Sequence, residues 1–159
     1  MQFANHILKT QISFEAAHRL YNVNTYSEEC RENIHGHSYK VTVYVCASEL
    51  DESGMVVDFK LLKKILKETI EDKYDHSCIL VETDPLCEPI KANCKKVNIV
   101  SENPTAEWMA YHFMDEIQEV LRAAKLWPRV GIFRVDVQET ENNIATYELP
   151  RKVGEVRYH

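Results

Sequence analysis

The sequence predicts an α+β domain of four strands and two helices. Two observations lead to this prediction. Four segments alternate apolar and polar residues with period two, and two longer segments repeat apolar residues at helical spacing. The predicted order of elements is β-β-α-α-β-β. Because 159 residues suffice for one hydrophobic core, we expect a single domain over residues 1–159.

The first strand is predicted at residues 9–18 and the second at 35–48, because both segments place apolar residues at every second position. Residues 19–34, which are polar and irregular, are expected to form a loop. Asp58 is a predicted N-cap, and the first helix runs from there to about residue 73. The apolar face of this helix is expected to contain Phe59, Leu61, Leu62, Ile65, Leu66 and Ile70.

A long connection follows, and its segment 77–102 is predicted to contain no regular element. Its length is typical of a functional or partner-facing loop. Pro104 and Thr105 begin the second helix, with Glu107 in the first turn. The third strand is predicted at 130–139 and the fourth at 144–149. The third strand should direct Phe133, Val135 and Val137 inward.

The composition excludes several classes of protein. Apolar residues make up 45% and charged residues 28%, as in ordinary globular proteins, and the net charge is −6. The negative charge argues against general nucleic-acid binding, which needs a basic surface. No apolar stretch approaches the roughly 20 residues of a membrane helix, and no secretion signal is recognisable. We therefore expect a cytoplasmic protein whose five cysteines are reduced thiols.

Three histidines fall on the predicted inner face of the first two strands. His35 and His37 are two residues apart and so point to the same face, and His18 extends the apolar face of the first strand. Three neutral imidazoles with an open fourth position are the ligands of a catalytic Zn²⁺ site. The alternative is that they are separate, hydrogen-bonded histidines of the core or loops. Their common face favours the metal site.

Four further residues have side chains suited to chemistry, each with an ordinary structural alternative. Glu139 is predicted to face inward, where a carboxylate must be paired or bind a ligand such as the N–H groups of a heterocycle. It could instead reach solvent at the end of its strand. Asp75 could orient the imidazole of His76 for proton transfer, or the two could be a polar pair at a helix end. Cys30 could act as a base or nucleophile beside a metal, or be a plain loop thiol.

Six motifs, in this order, resemble the 6-pyruvoyl-tetrahydropterin synthase family, which includes the 6-carboxy-tetrahydropterin synthase of queuosine biosynthesis. The resemblance covers about residues 10–149. It implies the tunnelling fold (T-fold), an antiparallel four-stranded sheet with two helices on one face. In this fold three subunits close their sheets into a barrel, two trimers usually stack into a hexamer, and sites lie between subunits. The motifs are Phe14-Glu-Ala-Ala-His18, Cys30 with His35-Gly-His37, Val57-Asp58-Phe59, Asp75-His76, Asn103-Pro-Thr-Ala-Glu107 and Gln138-Glu139-Thr140.

The resemblance also implies a reaction and residue roles. The reaction is the zinc-dependent conversion of 7,8-dihydroneopterin triphosphate to 6-carboxy-5,6,7,8-tetrahydropterin, with release of triphosphate and acetaldehyde and without a redox cofactor. The implied roles are Zn²⁺ binding by His18, His35 and His37, catalysis by Cys30 with Asp75 and His76 of a neighbouring subunit, and pterin binding by Glu139 with Thr105 and Glu107 near the ring.

Three alternatives to this reaction remain. They are the 6-pyruvoyl branch of the family, a side-chain-cleaving branch that yields 6-hydroxymethyl-dihydropterin, and a pterin- or purine-binding module without catalysis. The family places its cysteine four or six residues before the first histidine of the HGH motif, whereas Cys30 stands five before His35. Glu29 or Glu32 is therefore an alternative base.

Overall fold

The computed structural model of the protein describes residues 6–149. This part of the chain forms six strands and five α-helices. A turn of π-helix, Lys67–Glu71, joins the second helix to the third without a break. The strands are β1 (His6–His18), β2 (His35–Ala47), β3 (Ser77–Val81), β4 (Val97–Val100), β5 (Val130–Gln138) and β6 (Ile144–Glu148), and the helices are α1 (Glu28–Glu32), α2 (Phe59–Leu66), α3 (Asp72–Tyr74), α4 (Cys87–Asn93) and α5 (Ala106–Ala123).

The sheet has six strands in the order β4-β3-β1-β2-β5-β6. Strands β1, β2, β5 and β6 pair antiparallel, as predicted, whereas β3 and β4 extend the sheet in parallel beyond β1. The prediction of four antiparallel strands was therefore incomplete, and segment 77–102 was wrongly expected to lack regular structure. All five residues of β3 are buried. A strand that is covered on both faces does not alternate apolar and polar residues, so the period-two pattern does not reveal it.

Helices cover both faces of the sheet. Leu66 and Ile70 from the first helical segment and Phe113 from α5 join the main core on one face. On the other face α4 contributes Cys87 to a smaller cluster with Cys78 and Leu80 of β3. The prediction of two helices on one face thus omitted α4. None of the helices within residues 6–149 has the length and apolar character needed to cross a membrane.

Both predicted helix starts are confirmed. The Asp58 carboxylate accepts the N–H of Lys60 at 2.6 Å, and the Thr105 hydroxyl accepts that of Trp108 at 3.1 Å. Phe59 and Leu61 were wrongly placed in the core, since they are 51% and 41% exposed. They lie in the first turn of α2, and the buried stripe begins at the following residue, Leu62.

A β-bulge corrects the prediction for β5. Val45 pairs with Ile132 while Tyr44 pairs with Arg134, so that Phe133 has no partner in the ladder. Ile132 and Val135 are both fully buried, whereas Phe133 is only partly covered. The extra residue shifts the alternation by one position, and no period-two pattern predicts it.

Candidate functional site

Three imidazoles meet at the end of the β1–β2 hairpin that lies next to the connecting segment 19–34. His18 lies directly opposite His35, and His37 lies opposite Ala16, on the same face of the sheet as Phe14. The ring centroids are 4.6 to 5.1 Å apart, and one nitrogen of each ring lies within 4.8 Å of the others. The structure therefore brings together the three histidines that the strand pattern predicts on one face.

Backbone carbonyls fix the tautomers of two of these rings. Nδ1 of His18 lies 2.8 Å from the carbonyl oxygen of Pro104, and Nδ1 of His35 lies 3.1 Å from that of Asn33. Because a carbonyl only accepts, each Nδ1 carries the proton and donates it, and each Nε2 keeps a bare lone pair. Such second-sphere hydrogen bonds are typical of metal-binding histidines.

The free nitrogens point into one space. Nε2 of His18 lies 3.0 Å from Nε2 of His35, where two bare lone pairs repel each other. Nε2 of His37 is buried and has no hydrogen-bond partner within residues 6–149. A cation satisfies all three, since tetrahedral Zn²⁺ bound at 2.0–2.1 Å places its nitrogen ligands about 3.4 Å apart. The donor set therefore fits a divalent metal ion.

Electrostatics favour the neutral form of two of these rings. The pKa of His18 is lowered to about 4, mainly by burial and in part by the neighbouring His35 and His37, against the raising effect of the bond to Pro104. Burial also lowers the pKa of His37, although the Glu139 carboxylate opposes this shift. Neutral imidazole is the form that binds metal, so His18 and His37 are in a state suited to metal binding near neutral pH.

Glu139 lies beside the histidine cluster. It follows the last residue of β5, and its carboxylate oxygen Oε1 is 3.7 Å from Nε2 of His37. The side chain keeps 26% of its exposure, so it faces the cluster without being sealed from solvent. The position matches the inward direction that the strand pattern predicts. Its distance from His37 leaves the carboxylate able to accept hydrogen bonds from a ligand.

The start of α5 borders the same cluster. The carbonyl of Pro104 contacts His18, and the next residue, Thr105, uses its hydroxyl to cap the helix. Glu107 lies in the first turn and is exposed. No hydrogen bond or ion pair joins Glu107 to the histidines in the described part of the chain. Sequence reasoning missed the role of Pro104, because a backbone carbonyl has no signature in residue type.

The three candidate bases lie on the short helix α1. Cys30 is half-buried, and its carbonyl accepts the N–H of Leu20 at 3.2 Å, which connects the helix to the end of β1. Glu29 accepts a hydrogen bond from the Ser27 hydroxyl at 2.7 Å, which lowers the pKa of its carboxyl group. Glu32 pairs with Arg31 at 3.2 Å. Both carboxylates thus have local partners, and the Cys30 thiol has none within residues 6–149.

The Asp75–His76 pair makes no hydrogen bond or ion pair to the histidine cluster within residues 6–149. Asp75 accepts the N–H of Glu15 at 2.8 Å and the Nδ1–H of His76 at 2.8 Å, and these two bonds lower the pKa of its carboxyl group. The His76 ring is 81% exposed. It borders a cavity of about 310 Å³ that is also lined by Gly36, Ser38 and His37, the last of which belongs to the histidine cluster.

Comparisons with known proteins agree on one family. A family model described as 6-pyruvoyl tetrahydropterin synthase matches residues 7–150. A 6-carboxy-5,6,7,8-tetrahydropterin synthase of Rickettsia felis is 36% identical over 109 residues, covering 67% of this chain and 76% of the relative. A 6-pyruvoyl tetrahydrobiopterin synthase of Homo sapiens is 30% identical over 146 residues, covering 87% and 88%.

A solved structure shares the fold. It is a 6-pyruvoyltetrahydropterin synthase of Plasmodium vivax in which a catalytic glutamate is replaced by alanine. The TM-score is 0.66 at 21% identity, and the match covers 90% of this chain and 98% of that chain. The α+β architecture described above is therefore that of these synthases.

Proposed function

The chain belongs to the 6-pyruvoyl tetrahydropterin synthase family and is a lyase, and on that premise we propose that it acts on 7,8-dihydroneopterin triphosphate. The proposed products are 6-carboxy-5,6,7,8-tetrahydropterin, triphosphate and acetaldehyde. The relative in Rickettsia felis has the name of this branch. The reaction would serve the synthesis of queuosine and related 7-deazapurines.

The observation that carries the proposal is the triad of His18, His35 and His37. Its buried, unpartnered Nε2 atom on His37 and its two carbonyl-oriented rings are arranged for a metal ion and not for hydrogen bonds to one another. These three residues would hold Zn²⁺ through nitrogen and leave a fourth position open. Zn²⁺ bound there would polarise the side-chain hydroxyls of the substrate and make the neighbouring protons more acidic.

Glu139 would orient the pterin. Its carboxylate lies next to the triad, and a carboxylate can accept two parallel hydrogen bonds from adjacent N–H groups of a pterin ring. Thr105 and Glu107, at the start of α5, would lie near the ring. The distance from Glu139 to His37 would place the ring beside the metal, with the substrate side chain toward it.

Proton transfer would use Cys30 together with Asp75 and His76. Asp75 orients the exposed ring of His76 through Nδ1, which leaves Nε2 free to give or take a proton. The pair makes no hydrogen bond to the triad of its own chain within residues 6–149, and the family resemblance implies sites shared between subunits, so we propose that it acts on the site of a neighbouring subunit. Cys30, whose thiol has no local partner within residues 6–149, would act in its own subunit.

Product analysis tests the branch. The purified protein, loaded with Zn²⁺, is incubated with 7,8-dihydroneopterin triphosphate, and the pterin product is identified by mass spectrometry. We expect 6-carboxy-5,6,7,8-tetrahydropterin and acetaldehyde. A 6-pyruvoyl product, as the name of the human relative suggests, or a 6-hydroxymethyl product would contradict the proposed branch. An unchanged substrate that stays bound would identify a binding module.

His35→Ala tests the metal site. Removing one of three nitrogen ligands should strip Zn²⁺ from the protein and lower turnover by at least about a hundredfold. The metal content is measured by elemental analysis after dialysis. His6→Ala, which alters an exposed residue at the far end of β1, is the matched control and should keep both metal and turnover. Full zinc occupancy in His35→Ala would disprove the ligand assignment.

A further inference from the structure

Side chains from outside the helix satisfy the carbonyls at the end of α3. The last carbonyls of a helix have no partner in the helix itself. The turn that contains Asp75 and His76 follows α3 directly. Hydrogen bonds to the last carbonyls of α3 therefore also hold this turn in place. The bonds are Asn98 Nδ2 to the carbonyl of Lys73 at 3.0 Å, Ser77 Oγ to that of Tyr74 at 2.6 Å, and Lys96 Nζ to that of Asp75 at 2.6 Å.

Two of these donors lie in or directly before β4, a strand that the sequence pattern does not predict. Lys96 immediately precedes β4 and Asn98 lies within it. β4 pairs in parallel with β3, the strand that begins just after His76. Asn98 also donates to the Ser77 hydroxyl at 2.9 Å, so the donors form one connected network. β4 and the residue before it therefore contact the turn that immediately precedes β3.

The turn needs this support because its backbone is unfavourable. His76 has φ of 57°, in the left-handed region where helices usually end on glycine or asparagine. The one backbone bond that His76 donates goes to the carbonyl of Glu15 at 2.7 Å. A histidine in this conformation persists only where its surroundings enforce it.

We propose that Lys96 and Asn98 are positioning residues that hold the Asp75–His76 pair in its hydrogen-bonded geometry. This inference rests on the proposed role of the pair in proton transfer. The Lys96 ammonium adds its charge near the Asp75 carboxylate, which supports the ionised form that His76 needs as a partner. The carboxylate of Glu15, whose backbone N–H binds Asp75, accepts a hydrogen bond from the Ser38 hydroxyl at 2.7 Å.

Lys96→Met tests the inference, because methionine keeps most of the apolar stem and removes the donor. We expect kcat to fall about tenfold to a hundredfold, since small displacements of a catalytic group have effects of this size. KM should stay within about a factor of two, because the pair acts in the transition state and not in binding. Lys96→Arg, which keeps a cationic donor, should recover most of kcat. Asn98→Leu should behave like Lys96→Met.

Lys95→Met is the matched control, since it makes the same change at the adjacent, exposed lysine and should leave kcat unchanged. Hydrogen exchange of the His76 amide reports the turn directly and should become about tenfold faster in Lys96→Met but not in Lys95→Met. If Asp75→Asn and His76→Gln are inactive while Lys96→Met matches Lys95→Met in kcat and exchange, the inference is wrong. If Asp75→Asn and His76→Gln turn over normally, the proposed role of the pair fails and the inference falls with it.

Discussion

At the scale of single residues, we expect Glu139 to serve substrate binding and not metal binding. Its carboxylate faces the triad at 3.7 Å from His37 but is not needed to complete the nitrogen ligand set. Glu139→Ala should therefore keep Zn²⁺ and lose affinity for a pterin analogue such as sepiapterin by about tenfold or more, because hydrogen bonds to a charged group contribute about 1.5–3 kcal/mol. Isothermal titration calorimetry measures the affinity.

Glu141→Ala is the control for this experiment, since it removes a carboxylate from the exposed turn that follows. Unchanged affinity in Glu139→Ala would show that another group anchors the ring.

Cys30 is the residue whose role the sequence leaves most open. Cys30→Ala should keep the fold and the zinc, and its turnover should fall by about 10²–10⁴, the usual loss on removal of a general base. Turnover with 7,8-dihydroneopterin triphosphate measures this. Glu29 and Glu32, the alternative bases, lie on the same short helix, so Glu29→Gln and Glu32→Gln are measured in parallel. Near-normal turnover in Cys30→Ala with loss in either glutamine variant would make a carboxylate the base.

The grouping of the three histidines could be predicted because their positions follow from period two alone. His18, His35 and His37 continue apolar strand faces, and the antiparallel register then brings them together. The carbonyls of Pro104 and Asn33 could not be predicted, because any residue type supplies a carbonyl. The long-range contact between His18 and Pro104 also depends on where α5 packs, which local pattern does not determine.

At the scale of elements, the segment β3–α4–β4 is anchored to β1 by a buried ion pair. Asp84 has no exposed side-chain surface, and its carboxylate accepts Arg19 Nε at 2.8 Å and the N–H of Leu86 at 2.8 Å. Asp84→Asn should lower the free energy of unfolding by about 3–5 kcal/mol, because it leaves the Arg19 charge buried without its partner. Urea unfolding followed by circular dichroism measures the change.

Glu88→Gln in α4 removes an ion pair between Glu88 and Lys91. The Glu88 side chain is 84% exposed. This substitution serves as the control and should cost less than about 1 kcal/mol. Equal effects of the two substitutions would mean that the Arg19–Asp84 pair does not anchor the segment.

The elements that could be predicted are those with one solvent-exposed face and one buried face. β1, β2, β6 and both long helices have polar residues opposite their apolar stripes, and the caps Asp58 and Thr105 mark where the helices begin. β3 was missed because both of its faces are covered, and the bulge at Phe133 was missed because it interrupts the alternation within one strand. In both cases tertiary packing decides the structure.

At the scale of the whole molecule, the sheet has strand edges that other chains could extend. β3 pairs with β1 only at Ala16–His18, so the earlier part of that edge of β1 has no partner strand within residues 6–149. β6, at the other end of the sheet, pairs only with β5 in the part of the chain that the structure describes. Barrel closure between chains satisfies such edges. We expect sedimentation equilibrium to give a trimer or hexamer of the 18.6 kDa chain, and a monomer at micromolar concentration would contradict this.

Mixing tests whether the sites are shared between subunits. His35→Ala and His76→Gln alter groups that we assign to opposite sides of one site. If each site takes its triad from one chain and its Asp75–His76 pair from another, co-refolding equal amounts of the two inactive variants should restore about one quarter of the activity. No recovery in hetero-oligomers would place both groups in the same subunit.

The position of the triad on a single hairpin has a consequence for the order of assembly. A chain growing from its N-terminus carries all three imidazoles once His37 has been added, long before Pro104, whose carbonyl orients His18, has been made. Contacts between nearby parts of a chain form early, because closing a short loop costs little entropy. Zn²⁺ captured at that stage would join the ends of β1 and β2 first, and the second half of the protein would then set the final geometry of the site.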